Sequence, residues 1–275
     1  MLNKEKILNT IIYGDCLRVL SGIPDESIDL IVTSPPYNLK INYASYSDDL
    51  PLSEYYAWCR DWMRECFRVL KVDGRFCLNH YLAGGMANAK YFPLMDLYQI
   101  AKDIGYGSHS IAIWNDATLS NKTAWGEWLG VNCYISCPYE GILFLYKGNW
   151  VKTTNKGTTN IDKKEFMETC HGVWNIPTER CRDHPAPFPV KLAERCIKTM
   201  CYENNVVLDP FGGSGTTAVA SMNLNRNFVI IDNDLGYCEY ALDRAQAVLN
   251  QPDLFIDNSH IIKPKILVYE PISDR

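Results

Sequence analysis

The stretch NVVLDPFGGSGTTAVA, Asn205 to Ala220, joins an apolar strand to a helix through a glycine-rich turn. Glycines let a backbone come close to a ligand, and a helix opening at Ser214 or Thr216 would aim free N–H groups at it. The next apolar run, NFVIID, closes on Asp232, where a carboxylate suits the two hydroxyls of a ribose. Gly213-x-Gly215-x-x-Ala218 with Asp232 also fits a loose dinucleotide fingerprint, so an NAD-dependent enzyme stays open as a competitor. A P-loop is excluded, because no lysine follows the glycines. Asp209 and Phe211 shift the balance. A carboxylate beside the glycines repels pyrophosphate and welcomes an ammonium or sulfonium. S-adenosylmethionine carries both cations and a ribose.

Outward from this turn, apolar runs of strand length alternate with helical periodicity. Ile28–Val32 reads as a buried strand, and a long amphipathic helix runs from Ser53 to Leu70, with Gly74 as the break after it. RFCLNH is the next strand. A helix (PLMDLYQIAKDIG) and two more strands (HSIAIWN, GILFLY) follow. Beyond Pro189 come the helix PVKLAERCIKTMC, the two strands around the glycine turn and the helix LGYCEYALDRAQAVL, with KILVYE as a candidate extra strand. The expected fold is α/β, a doubly wound, mostly parallel Rossmann-like sheet. Residues 1–275 form one expected domain. Asn115–Glu140 and Trp150–His171 lack periodicity, so 115–172 is the candidate target-recognition region.

The strand at Ile28 ends in VTSPPYN, Val32 to Asn38. Two consecutive prolines fix φ and remove two backbone donors. Carbonyls there are left without an N–H of their own to recruit, and Tyr37 follows with an aromatic face.

TSPPY near the start and DPFGGSGTT near the end resemble the catalytic and cofactor motifs of amino-group DNA methyltransferases, and their order resembles the permuted group often called beta. GDCLRVL, PDESIDLIVTSPPYN, FRVLKVDGRFCLN, TAWGEW, GVWNIP, HPAPFPVKLAERCI and NRNFVIIDND also read like its members, covering about residues 13 to 248. The resemblance implies a circularly permuted methyltransferase fold with S-adenosyl-L-methionine as cofactor. An exocyclic amine is a poor nucleophile, because its lone pair is delocalised into the ring. Ser34 Oγ and the Pro35 carbonyl are the implied acceptors for its two hydrogens, with Pro36 stiffening the corner and Tyr37 facing a base turned out of the duplex. Catalysis is then positioning, with no covalent intermediate. Methylation at a ring carbon needs a Pro-Cys dipeptide, and the sequence has only the reverse, Cys137-Pro138.

Residue by residue, the resemblance places Asp209, Phe211, Gly213, Gly215 and Thr216 around the methionine part of the cofactor, Asp232 on the ribose and Asp15 on the adenine amine. His184 and Phe188 fall in the remaining cofactor motif, where many relatives carry lysine at the position of Phe188. Ser34 favours cytosine N4 over adenine N6, which stays as the alternative. Double-stranded DNA is the implied partner, and the resemblance allows a homodimer and a restriction endonuclease partner.

Composition constrains this reading. Net charge is −5, which argues mildly against a nucleic-acid partner, yet KGNWVKTTNKGTTNIDKK (147–164) holds five lysines and one aspartate. That segment is a candidate phosphate contact, and Trp125 with Trp128 a candidate pocket edge. Tyr43, Tyr46, Tyr55 and Tyr56 are expected to pack. The eleven cysteines sit mostly in apolar, periodic contexts and read as reduced core residues, with no metal expected. Cys170, His171, Cys181 and His184 are the zinc alternative, without the paired knuckles that would support it. No apolar stretch approaches membrane-helix length and the N-terminus is not a signal peptide, so a soluble, cytoplasmic protein is expected.

Overall fold

A computed structural model describes residues 2–39, 48–84, 91–116, 137–152, 157–179, 188–250 and 263–269. In chain order the first half comprises α1 (Lys4–Ile7), β1 (Thr10–Tyr13), α2 (Cys16–Gly22), β2 (Ile28–Thr33), α3 (Leu52–Val69), β3 (Leu70–Tyr81) and α4 (Pro93–Ile104). Then come β4 (Gly107–Asn115), β5 (Glu140–Tyr146), α5 (Lys163–Cys170), β6 (Val173–Asn175) and α6 (Val190–Met200). The chain closes with β7 (Val206–Asp209), α7 (Thr216–Asn223), β8 (Asn227–Asp232), α8 (Leu235–Leu249) and β9 (Lys265–Val268).

The strands form one sheet in the order β6-β4-β5-β3-β2-β7-β8-β1-β9. Among the described residues every neighbouring pair is parallel except those made by β5, which runs antiparallel to both β3 and β4. Side chains alternate between two apolar layers, as the strand period of two requires. Ile31, Leu208 and Val229 pack with α2, α3 and α4, while Leu30, Val207 and Phe228 face α6, α7 and α8. With both faces covered, β2, β7 and β8 read as continuous apolar runs.

From β2 the chain crosses through α3 to β3 on one side. From β7 it crosses through α7 to β8 on the other. The direction of winding therefore reverses between β2 and β7, and an open α/β sheet offers its ligand crevice at the carboxyl ends of such a pair. TSPPY leaves β2 at that point and DPFGG leaves β7 beside it.

Some expectations need correction. The long helix ends at Val69, and Gly74 lies inside β3, opposite a register shift in β2. Asp73, at φ 69, bends the strand there. The stretch Trp150–His171 contains α5, which buries none of its residues, and GVWNIP contributes the short edge strand β6. α1, β1 and α2 have no counterpart in the sequence reading; helices of four and seven residues make two turns at most, too few to show a helical period. KILVYE does add an edge strand, β9, paired with β1.

α3 anchors one layer through Tyr55, Cys59, Trp62, Met63, Cys66 and Val69, a stripe at helical spacing. Trp62 is fully buried, edge-on to Phe76 and Phe211. We expect Trp62→Ala to cost about 3–5 kcal/mol, read as a lowered urea midpoint with an unchanged slope.

Candidate active site

Four parallel strands deliver their carboxyl ends to one rim. β2 ends in Ser34-Pro35-Pro36-Tyr37, β7 in the glycine turn, β8 at Asp232 and β1 at Gly14-Asp15. Backbone bonds sew the rim together, with Gly212 N–H donating to the Ile231 carbonyl at 2.8 Å and Gly14 N–H to that of Asp232 at 2.9 Å.

Asp209 joins the two motifs. Its carboxylate is buried and accepts from Thr33 Oγ1 at 2.7 Å, Thr217 Oγ1 at 2.6 Å and Phe211 N–H at 3.1 Å. Burial pushes its pKa up to about 6, against the pull of hydrogen bonds from Thr217, Thr33 and Phe211. The residue expected to meet the cofactor thus also holds β2 to β7.

The glycine turn is likewise satisfied from within. Phe211 N–H serves Asp209, Gly213 N–H donates to Asp232 Oδ2 at 2.7 Å, and Gly215 N–H returns to the Gly212 carbonyl at 2.8 Å. These N–H groups are engaged by carboxylates and carbonyls, and the two carboxylates beside the turn, Asp209 and Asp232, suit a cationic ligand better than a pyrophosphate. Gly213 and Gly215 have φ values of 47 and 77, and Gly215 caps α7 where a Cβ would lie 2.6 Å from the Ala241 Cβ. Asp232 accepts one backbone N–H on each oxygen, from Gly213 and from Asp234, which leaves lone pairs for ribose hydroxyls. Burial raises its pKa to about 6 as well. Asp15 is exposed at the rim and caps α2 through Arg18 N–H at 3.1 Å.

Two expected contacts have other partners. Thr216 is buried, and Arg244 reaches its Oγ1 at 3.3 Å and the Ser214 carbonyl at 2.7 Å. The Phe211 ring packs against Trp58 and Trp62 at centroid distances of 5.3 and 5.1 Å. Half-buried Trp58 is therefore a wall residue that the sequence reading missed.

At the TSPPY turn, the Pro36 carbonyl accepts from the Tyr55 hydroxyl at 2.8 Å, so it does not face the crevice unengaged. Tyr55 packs in the core as expected, but its hydroxyl also props this corner, 3.1 Å from His80 Nε2. Burial lowers the His80 pKa to about 3, keeping the ring neutral. His80 lies 4.2 Å from the Tyr37 ring, and Tyr81 5.3 Å from it. Asn38, at φ 57, ties the turn to Leu50 through its side chain, and its N–H donates to Asp48 at 2.8 Å.

Behind Ser34 stands a network the sequence reading also missed. Ser34 Oγ is 2.6 Å from the Tyr37 hydroxyl, which donates to Glu140 Oε2 at 2.7 Å. Asn79 Nδ2 donates to that same oxygen at 2.6 Å and to the Tyr37 hydroxyl at 2.9 Å. Asn79 comes from β3 and Glu140 from the first residue of β5. The polar Asn-His pair inside the apolar strand RFCLNH was the available signal.

A family model described as DNA methylase, the N6/N4 type, matches residues 28–243. The chain belongs to this DNA methylase family. The methylase is 41% identical to the type II methyltransferase M.MjaVI of Methanocaldococcus jannaschii over 172 residues, covering 62% of this chain and 86% of that one. It is 30% identical to the type II methyltransferase M.BglII of Bacillus subtilis over 263 residues, covering 90% and 70%. Its fold superposes on TTHA0409 of Thermus thermophilus, solved in complex with S-adenosyl-L-methionine, with a TM-score of 0.70 at 27% identity, covering 88% and 95%.

In the methylase the lysine-rich segment starts at the far end of the sheet. Lys147 donates to the Leu70 carbonyl at 2.9 Å and pairs with Glu26 at 3.2 Å, at the amino ends of the parallel strands. Lys152 is near Asp29, Arg75 and Lys71, and burial lowers its pKa. Neither lysine adjoins the crevice. Phe188 packs on the layer that holds Leu192 and Cys196. Tyr56 donates to Asp96 at 2.7 Å. Trp125, Trp128, Tyr43, Tyr46, Cys181 and His184 lie outside the described residues; Cys170 is exposed at the end of α5, next to His171. No described helix is long and apolar enough to cross a membrane.

Asp209 supplies a test by pH. Its folded-state pKa, near 6, lies above its ordinary value of 3.8, so its contribution is fully present below about pH 4 and is lost as pH rises through 6. The loss is roughly 3 kcal/mol at one pKa unit per 1.36 kcal/mol. Thr217→Val removes one donor to the carboxylate and raises that pKa further. The variant's destabilisation in chemical unfolding should therefore be larger at pH 8 than at pH 5, reaching about 1–3 kcal/mol.

Proposed function

We propose that this methylase transfers the methyl group of S-adenosylmethionine to the exocyclic N4 of cytosine in DNA. The observation that carries the reading is the neutral Ser34 hydroxyl on a proline-stiffened corner, held across from Asp232 and the glycine turn by Asp209. The donor supplies an electrophilic methyl group when bound, and the carboxylates of Asp232 and Asp15 are the groups that would hold its ribose and adenine.

The chain's residues supply positioning. The Tyr37 hydroxyl donates to Glu140, so Ser34 is left to donate to Tyr37 and to accept with its own lone pairs. Ser34 Oγ and the Pro35 carbonyl can then each take one hydrogen of a cytosine amine, which lets the nitrogen become pyramidal as it attacks. Double-stranded DNA with the target base turned out is the substrate in this reading. Target recognition falls to residues 115–172, with α5 on their described surface.

Mass spectrometry of nucleosides from DNA incubated with enzyme and donor should yield N4-methylcytosine. N6-methyladenine alone would overturn the choice of base. Ser34→Ala should slow transfer about 100-fold with donor affinity kept, and Asp232→Asn should mainly weaken donor binding. Equal binding losses in both variants would contradict these roles. Donor affinity measured by calorimetry should rise with pH and level off above about 6, because the ionised Asp232 is the form that accepts the ribose hydroxyls. Asp232→Asn should flatten that rise.

A further inference from the structure

The hydroxyls of Ser34 and Tyr37 and the carboxylate of Glu140 form a continuous line, with 2.6 Å and 2.7 Å between successive oxygens. It leads from the crevice into the sheet. Asn79 donates to both Tyr37 and Glu140 and fixes the line from the side, while its own Oδ1 has no partner among the described residues. Three separate segments build this arrangement, the turn after β2, β3 and β5, and packing alone does not require a glutamate at the start of β5. Its neighbours across the sheet are Tyr81 on β3 and Trp114 on β4.

We propose that Glu140 is the terminal proton acceptor of methyl transfer, taking up through Tyr37 and Ser34 the proton that the target amine must lose. The inference rests on the amine-methylation reading above. The nitrogen lone pair forms the new N–C bond as the S–C bond breaks, and the electrons of that bond stay on sulfur. The methylated amine then carries one excess proton. It moves to Ser34 Oγ as the serine proton passes to Tyr37 and the tyrosine proton to Glu140. Ser34 and Tyr37 finish as they began, and Glu140 finishes neutral until it releases its proton to water.

The electrostatics suit this role. Burial, with the nearby Asp116 carboxylate adding to it, lifts the Glu140 pKa against the hydrogen bonds from Tyr37 and Asn79. A raised pKa makes a carboxylate a better base. Among the described residues the groups around it are Tyr37 after β2, Tyr81 and the neutral His80 on β3, and Asp116 after β4, whose carboxylate already accepts from Thr178 N–H and Oγ1. None of them is a cation that would hold Glu140 at an ordinary value.

The test is single-turnover methylation of DNA at saturating donor from pH 5 to 8.5, which takes donor binding by Asp232 out of the comparison. Wild type should speed up with pH and level off. Glu140→Gln, nearly the same in shape, should be about 100-fold slower and lack that rise, with donor affinity and melting temperature kept. Tyr37→Phe cuts the line while leaving Glu140 in place and should also lose the rise, so it carries the test if Glu140→Gln does not fold. Separately, carbon-13 NMR of glutamate-labelled apo enzyme should show one side-chain carboxyl titrating above the ordinary ~4.3, absent in Glu140→Gln and shifted higher in Tyr37→Phe. A Glu140→Gln enzyme with wild-type rate and pH slope would overturn the relay alone. A slow variant that keeps the slope would reduce Glu140 to a structural support and also overturn it. Wild type that methylates no amine in DNA would overturn the parent reading, and the relay with it.

Discussion

A buried carboxylate without a buried cation beside it is expensive, and among the described residues Asp209 is such a group. Three hydrogen bonds offset the cost, and they come from both motifs: Thr33 precedes the catalytic turn, while Phe211 and Thr217 flank the glycines. The Thr33 contact spans 176 residues of sequence. It explains how TSPPY, early in the chain, and DPFGGSGTT, late in it, still meet at one crevice. Chain order is irrelevant once β2 and β7 lie side by side, because the bond forms between neighbouring strand ends. The remaining site geometry is referred to that junction.

The corner after β2 is rigid for reasons beyond its prolines. Tyr55 fixes the Pro36 carbonyl, Asn38 ties the exit of the turn to Leu50 and Asp48, and His80 supports the Tyr37 ring. Trp58 and Trp62 enclose Phe211 beside the glycine turn. A reaction that works by positioning needs its acceptors held within fractions of an ångström, and rigid elements on three sides provide that.

The antiparallel strand β5 has a special part in this. A parallel strand can present only its last residues to the crevice, so each site residue on such strands follows an apolar run. β5 enters from the crevice end and presents its first residue, Glu140. The sheet's one reversal among the described residues thus places a carboxylate where the parallel strands could supply it only from a loop.

Local pattern revealed a good deal. The apolar runs of β2, β7 and β8, the helical stripe of α3, the glycine turn and the proline corner are short-range features, governed by burial period and backbone stereochemistry within a few residues. They were enough to show a largely parallel sheet flanked by helices, and the resemblance to amino-group DNA methyltransferases implied that the two turns would face each other. The helices α1 and α2, of four and seven residues, carried too few turns to show a helical period, and α5 buries no residue and so shows no apolar stripe. The partners of particular side chains were beyond reach for another reason. That Asp209 is consumed by Thr33 and Thr217, that Arg244 engages Thr216, and that Glu140 meets Tyr37 across 103 residues all depend on strand register and on which face each side chain takes. Sequence periodicity says that a residue is turned inward. Only the packed sheet decides what it meets there, because that contact is fixed by the relative placement of segments whose sequences carry no record of one another.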